Sequence, residues 1–115
     1  MGPEYLKEER PWGFFERFTA NQKSTVKIIT LLPNSSISLQ YHKNRSEFWF
    51  ILEGEALITI NDEKKVGQPG AMFLVPPMAI HRLESKDKKV VVLEIAMGDF
   101  DEKDIVRLED RYRRI

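Results

Sequence analysis

Ile37-Ser38-Leu39-Gln40-Tyr41-His42, then Lys43-Asn44-Arg45-Ser46, then Glu47-Phe48-Trp49-Phe50-Ile51-Leu52 up to Glu53-Gly54, decides how the chain is read. Two runs of strand-forming residues flank a short polar turn, and a second break follows at the glycine. Gln40 and His42 are separated by one residue, so on a strand their side chains share a face. Glu47 opens the next strand, five positions after His42. An antiparallel return brings its carboxylate beside the Gln40/His42 pair.

The same alternation continues outward. Val26-Lys27-Ile28-Ile29-Thr30-Leu31-Leu32 is rich in β-branched residues and ends at Pro33-Asn34-Ser35-Ser36. Ala56 to Ile60, Ala71 to Val75, Ile80 to Glu84 and Val90 to Met97 are further short strands. Asn61 to Lys65 and Gly67 to Gly70 read as turns, and Pro76-Pro77 stops a strand. Closely spaced short strands predict an all-β sandwich or small barrel. The tail differs. Asp101-Glu102-Lys103-Asp104 suits a helix start, and Ile105, Leu108 and Tyr112 share a helical face, so a short C-terminal helix or extension is expected. The charge runs at 62–65 and 86–89 are expected to be solvated hairpin tips.

Composition narrows the chemistry. The 115 residues are 42% hydrophobic and 31% charged, the mix of one globular domain, expected over 1–115. Eighteen basic residues balance eighteen acidic ones, leaving no basic field for nucleic acid. With no cysteine, thiolate metal sites, disulfides and cysteine nucleophiles are excluded. The start has no apolar run fit for a signal peptide, and no run is long enough to span a bilayer, so a cytoplasmic location is expected.

The chain has two histidines, His42 and His81. The spacing around His42 resembles the first cupin motif, G-x5-H-x-H-x4-E-x6-G. Gln40 stands at its first histidine, Asn34 at its leading glycine and Gly54 at its last. Asn is the side-chain-bearing residue best suited to a positive-φ turn. Gly70, Pro76 and His81 fall in register with the second motif, G-x5-P-x-G-x2-H-x3-N, with Met78 and Ser85 at the second glycine and the asparagine. Both histidines therefore land on metal positions of one template. The resemblance implies a cupin, a double-stranded β-helix or jelly-roll barrel. It also implies one divalent metal held by Gln40, His42, Glu47 and His81. Mixed nitrogen and oxygen donors without sulfur suit Zn, Mn, Fe, Co or Ni.

A closer resemblance covers Arg10 to Tyr112. Arg10-Pro11-Trp12-Gly13, the core from Ile37 to Trp49, Pro76 to Ser85 and Asp104 to Tyr112 are similar to the C-terminal cupin domain of type II mannose-6-phosphate isomerases. That domain is often fused to mannose-1-phosphate guanylyltransferase. The resemblance implies a metal-dependent isomerisation of mannose 6-phosphate and fructose 6-phosphate through a cis-enediol. It assigns Arg45 a catalytic role; Arg45 with Lys43 is expected to hold the phosphate of the sugar phosphate or steady developing charge. Three consecutive family histidines read His42-Lys43-Asn44 here, and the family Glu-His-Trp reads Glu47-Phe48-Trp49. These losses keep a non-catalytic sugar- or metal-binding cupin as an alternative. An iron dioxygenase is disfavoured by the oxygen donor at Gln40. No guanylyltransferase activity is expected. The strand from Phe48 to Leu52 is apolar on both faces, which predicts a second buried surface and a homodimer.

Overall fold

The computed structural model describes residues 5–110 and residue 112. Residues 1–4 and 113–115 and Arg111 lie outside it, and with them that part of the C-terminal family match. Eleven strands and no helix occur among the described residues. β1 (Leu6–Arg10) and β2 (Gly13–Arg17) form a separate hairpin. β3 (Ser24–Leu31), β5 (Ser46–Glu53), β8 (Met72–Val75) and β10 (Val90–Met97) make one sheet, ordered β3-β10-β5-β8. β4 (Leu39–Tyr41), β6 (Ala56–Ile60), β7 (Glu63–Gly67), β9 (His81–Glu84) and β11 (Val106–Glu109) make the other, ordered β11-β4-β9-β6-β7. All pairings are antiparallel. The two sheets pack over one core, the jelly-roll arrangement expected.

Strand alternation explains the core. Trp49 and Ile51 of β5, Ile58 of β6, Val75 of β8, Leu83 of β9 and Val90 and Val92 of β10 are almost wholly buried between the sheets. Each such side chain contributes about 1.5–3 kcal/mol. The opposite face of β5 is also apolar, as expected. Phe48, Ile95 and Met97 form a second cluster there, with Phe18, Phe50 and Leu93 packed on it. Phe18, just after the hairpin, meets Phe48 and Phe50 at ring-centroid distances of 5.8 and 5.2 Å.

Two expectations need correction, and one element had no sequence signal. The tail is not helical: Val106 pairs with Tyr41 and Arg107 with Gln40, so β11 extends the second sheet. The unpaired edge of β4 offers backbone partners that outweigh a weak three-residue helical spacing. Glu63 to Lys65 is strand rather than turn, because β7 is an exposed edge with no apolar alternation to announce it. Only Asn61-Asp62 turns the chain, with Asn61 at φ 52°. The N-terminal hairpin was not foreseen.

Two motif positions show why their backbone matters. Gly54 has φ +82°, and a Cβ there would collide with the main-chain oxygen of Lys89. Met78 holds φ 69°, so the loop before His81 keeps a glycine-like turn despite its side chain. That conformation costs a non-glycine residue about 1–2 kcal/mol.

Candidate metal centre

Gln40, His42, Glu47 and His81 come from three strands and a turn, and they converge. Gln40 on β4 and His81 on β9 are directly paired residues, so they share the inner face. His42 follows β4, and Glu47 is the second residue of β5, on the same face as Trp49. His42, Glu47 and His81 are each 2% exposed or less.

Their donor atoms crowd one point. His42 Nε2 lies 3.4 Å from Glu47 Oε2, and His81 Nε2 lies 3.5 Å from Glu47 Oε1. The Gln40 amide end is 3.4 Å from His42 Nε2 and 3.5 Å from His81 Nε2. Bonds of ~2.0–2.2 Å to one cation place neighbouring donors ~3–3.5 Å apart, so the set fits a first-row divalent ion. The hydrogen bonds fix the tautomers. His42 Nδ1 donates to the Asp104 carbonyl at 2.6 Å, and His81 Nδ1 donates to the Ala79 carbonyl at 2.9 Å. Each Nε2 therefore carries its lone pair toward the shared point. Burial lowers the pKa of both rings, that of His42 to about 4, so both are neutral ligands near pH 7. Glu47 Oε1 is buried without a hydrogen-bond donor, an orphan that a cation would satisfy. Gln40 Oε1 accepts a hydrogen bond from Ser38 Oγ. Half a turn of the amide would aim the oxygen at the donors and leave the NH2 to donate to Ser38.

Arg45 joins this cluster. Its Nε and Nη2 each lie 3.1 Å from Glu47 Oε2, and Nη2 also lies 3.1 Å from His42 Nε2. Nη1 reaches the Asp101 carbonyl at 3.5 Å, and the guanidinium rests on the Phe100 ring at 4.4 Å. Lys43, by contrast, sits on the exposed turn. Its amide, like that of Asn44, donates to the Asp104 carboxylate at 2.9 Å. Those two bonds hold the Asp104 carboxyl below its ordinary pKa. A cavity of about 200 Å³ opens onto Gln40, Arg45 and Glu47 between the sheets; Lys43 is not on its wall.

Two residues of the site escaped sequence reasoning. Asp104 steadies His42 from 62 positions away, a separation no local pattern reveals. Glu94 is the lone charge in the apolar run of β10, a signal that could have been used. It is buried on the cavity wall and accepts a hydrogen bond from Trp49 Nε1 at 3.1 Å. Burial, and then the neighbouring Glu47 carboxylate, raise its pKa to about 7.

Residues 4–110 match the family described as mannose-6-phosphate isomerase C-terminal. The chain belongs to that family. It is 37% identical over 108 residues to mannose-1-phosphate guanylyltransferase ManC of Salmonella typhimurium, covering 92% of this chain and 22% of ManC. It is 36% identical over 112 residues to xanthan biosynthesis protein XanB of Xanthomonas campestris pv. campestris, covering 96% of this chain and 24% of XanB. The chain thus spans under a quarter of the length of either relative. Among solved structures, a cupin protein from Bacteroides fragilis superposes with a TM-score of 0.60 at 24% identity, covering 68% of this chain and 70% of that one. The fold is a cupin.

Proposed function

We propose that the chain is a metal-dependent isomerase that interconverts an aldose phosphate and a ketose phosphate, mannose 6-phosphate and fructose 6-phosphate foremost. The observation that carries this reading is the convergence of two neutral imidazoles, a carboxylate and an amide beside Arg45, in a chain of this family. Gln40, His42, Glu47 and His81 would hold the ion. When bound, a divalent cation supplies Lewis acidity toward the carbonyl and hydroxyl oxygens at C1 and C2. Arg45 steadies the negative charge that develops as the enediol forms. The proton passes between C2 and C1, and a group beside the substrate must take it and return it. Glu94 is by position the candidate, since its carboxyl lines the cavity and is not among the four donors.

The replaced family histidines support a retained site. Phe48 packs into the outer cluster, on the face of β5 opposite Glu47, and Lys43 and Asn44 lie on the exposed turn. None of these positions faces the four donors. We also read the chain as cytoplasmic and as a homodimer joined through the outer face of the first sheet. Val26 and Ile28 are 58% and 64% exposed there.

The test is metal-loaded protein incubated with mannose 6-phosphate in D2O. Fructose 6-phosphate should form with deuterium incorporated from solvent, and a chelator should stop it. His81→Ala should hold less than a tenth of the wild-type metal and show no turnover. A sugar that raises the melting temperature without being converted would favour a non-catalytic binding module instead.

A further inference from the structure

The structure leaves two cations at the cavity mouth without a role. Lys27 lies on β3 and Arg107 on β11, the edge strands of the two sheets. Lys27 pairs in register with Glu94, which pairs with Trp49; Arg107 pairs with Gln40, which pairs with His81. Directly paired residues share a face, so Arg107 sits one strand outward from Gln40, Lys27 sits one strand outward from Glu94 and two from the strand that carries Glu47, and both line the same cavity.

Arg107 has no ion pair among the described residues, and its Nε is buried without an acceptor. Among the described residues, Lys27 has only a solvent-exposed Glu102 at 4.0 Å and the face of Phe100 at 4.6 Å. Arg45 differs, because it is tied to Glu47, His42 and the Asp101 carbonyl beside the donor set. The cavity wall holds three cations, Lys27, Arg45 and Arg107, against three carboxylates, Glu47, Glu94 and Glu102. A divalent ion added to that balance leaves an excess of positive charge, which a phosphate dianion offsets.

We propose that Lys27 and Arg107 form the phosphate clamp of this site. The inference rests on the isomerase reading and names how its substrate is gripped. Strands are ~4.8 Å apart, so the backbone of Arg107 stands ~5 Å outward from Gln40 and ~10 Å from His81, and Lys27 faces the same cavity from the other sheet. A ligand that reaches both places carries its phosphate on the carbon remote from its carbonyl.

The experiment is calorimetric titration of the full metal-loaded chain with inorganic phosphate. Wild type should bind it. Lys27→Met and Arg107→Gln should each weaken binding tenfold or more with metal content unchanged, Arg107→Lys should recover part of the loss, and Lys88→Gln should match wild type. Lys27→Met, on a half-exposed edge side chain, covers the case in which Arg107→Gln fails to fold. A wild type that ignores phosphate, or variants that bind it as tightly as wild type, overturns the clamp. Phosphate binding that depends on both residues, without turnover of mannose 6-phosphate, keeps the clamp and sinks the isomerase. Turnover with KM unchanged in both variants does the reverse.

Discussion

Glu94 and His42 pull the stability of the metal-free chain in opposite directions as pH changes. The folded Glu94 carboxyl titrates at about 7 against an ordinary 4.5. Between those values the folded chain holds a proton that the unfolded chain has released, so stability falls as pH rises through the window. His42 titrates at about 4 when folded against an ordinary 6.5. Between those values the unfolded chain holds the extra proton, so stability rises with pH. Glu94→Gln keeps an acceptor for Trp49 and deletes the first slope. With metal removed, the variant should be more stable than wild type at pH 8 by about 1–3 kcal/mol and close to it at pH 5. Urea unfolding across that range checks this; parallel profiles for the two proteins would refute it. At this scale the donors were legible because Gln40, His42, Glu47 and His81 keep template spacing. Arg107 was not, since its unpaired state is a fact about what surrounds it.

The element that most affects the donor set is the segment from Gly98 to β11. Asp104 ties it to the turn between β4 and β5 through the amides of Lys43 and Asn44, and through its own carbonyl to the His42 ring. Asp104→Ala should leave the sheets intact and speed hydrogen exchange at those two amides. It should weaken metal affinity roughly tenfold, as loss of an orienting outer contact does. Exchange rates by NMR and a metal titration measure both, and unchanged affinity would show that the carboxylate does not position the ring. The β-branched runs announced β3, β6 and β10 nearly to the residue. The edges β7 and β11 went unannounced, because an edge strand exposed on one side needs little apolar alternation. Ile105, Leu108 and Tyr112 mimicked a helix only because the partner strand, β4, lies more than sixty positions away.

For the whole molecule, the outer face of the first sheet is where association is expected. Ile28 is in register across it with Leu93, Phe50 and Met72, and Val26 with Ile95, Phe48 and Leu74. Val26→Lys with Ile28→Lys should convert a dimer to a monomer in sedimentation, with the far-ultraviolet spectrum unchanged. A wild type that sediments as a monomer at micromolar concentration would rule out the dimer. The run from Phe48 to Phe50 signalled a second buried surface, and the chain's own Phe18 supplies part of the cover.

The bond from His42 to the carbonyl of residue 104 has a consequence for biosynthesis. Until that carbonyl is delivered, the His42 ring has no acceptor for its Nδ1 proton. A product that stops short of residue 104 lacks the acceptor that fixes the His42 tautomer and would grip a cation more loosely.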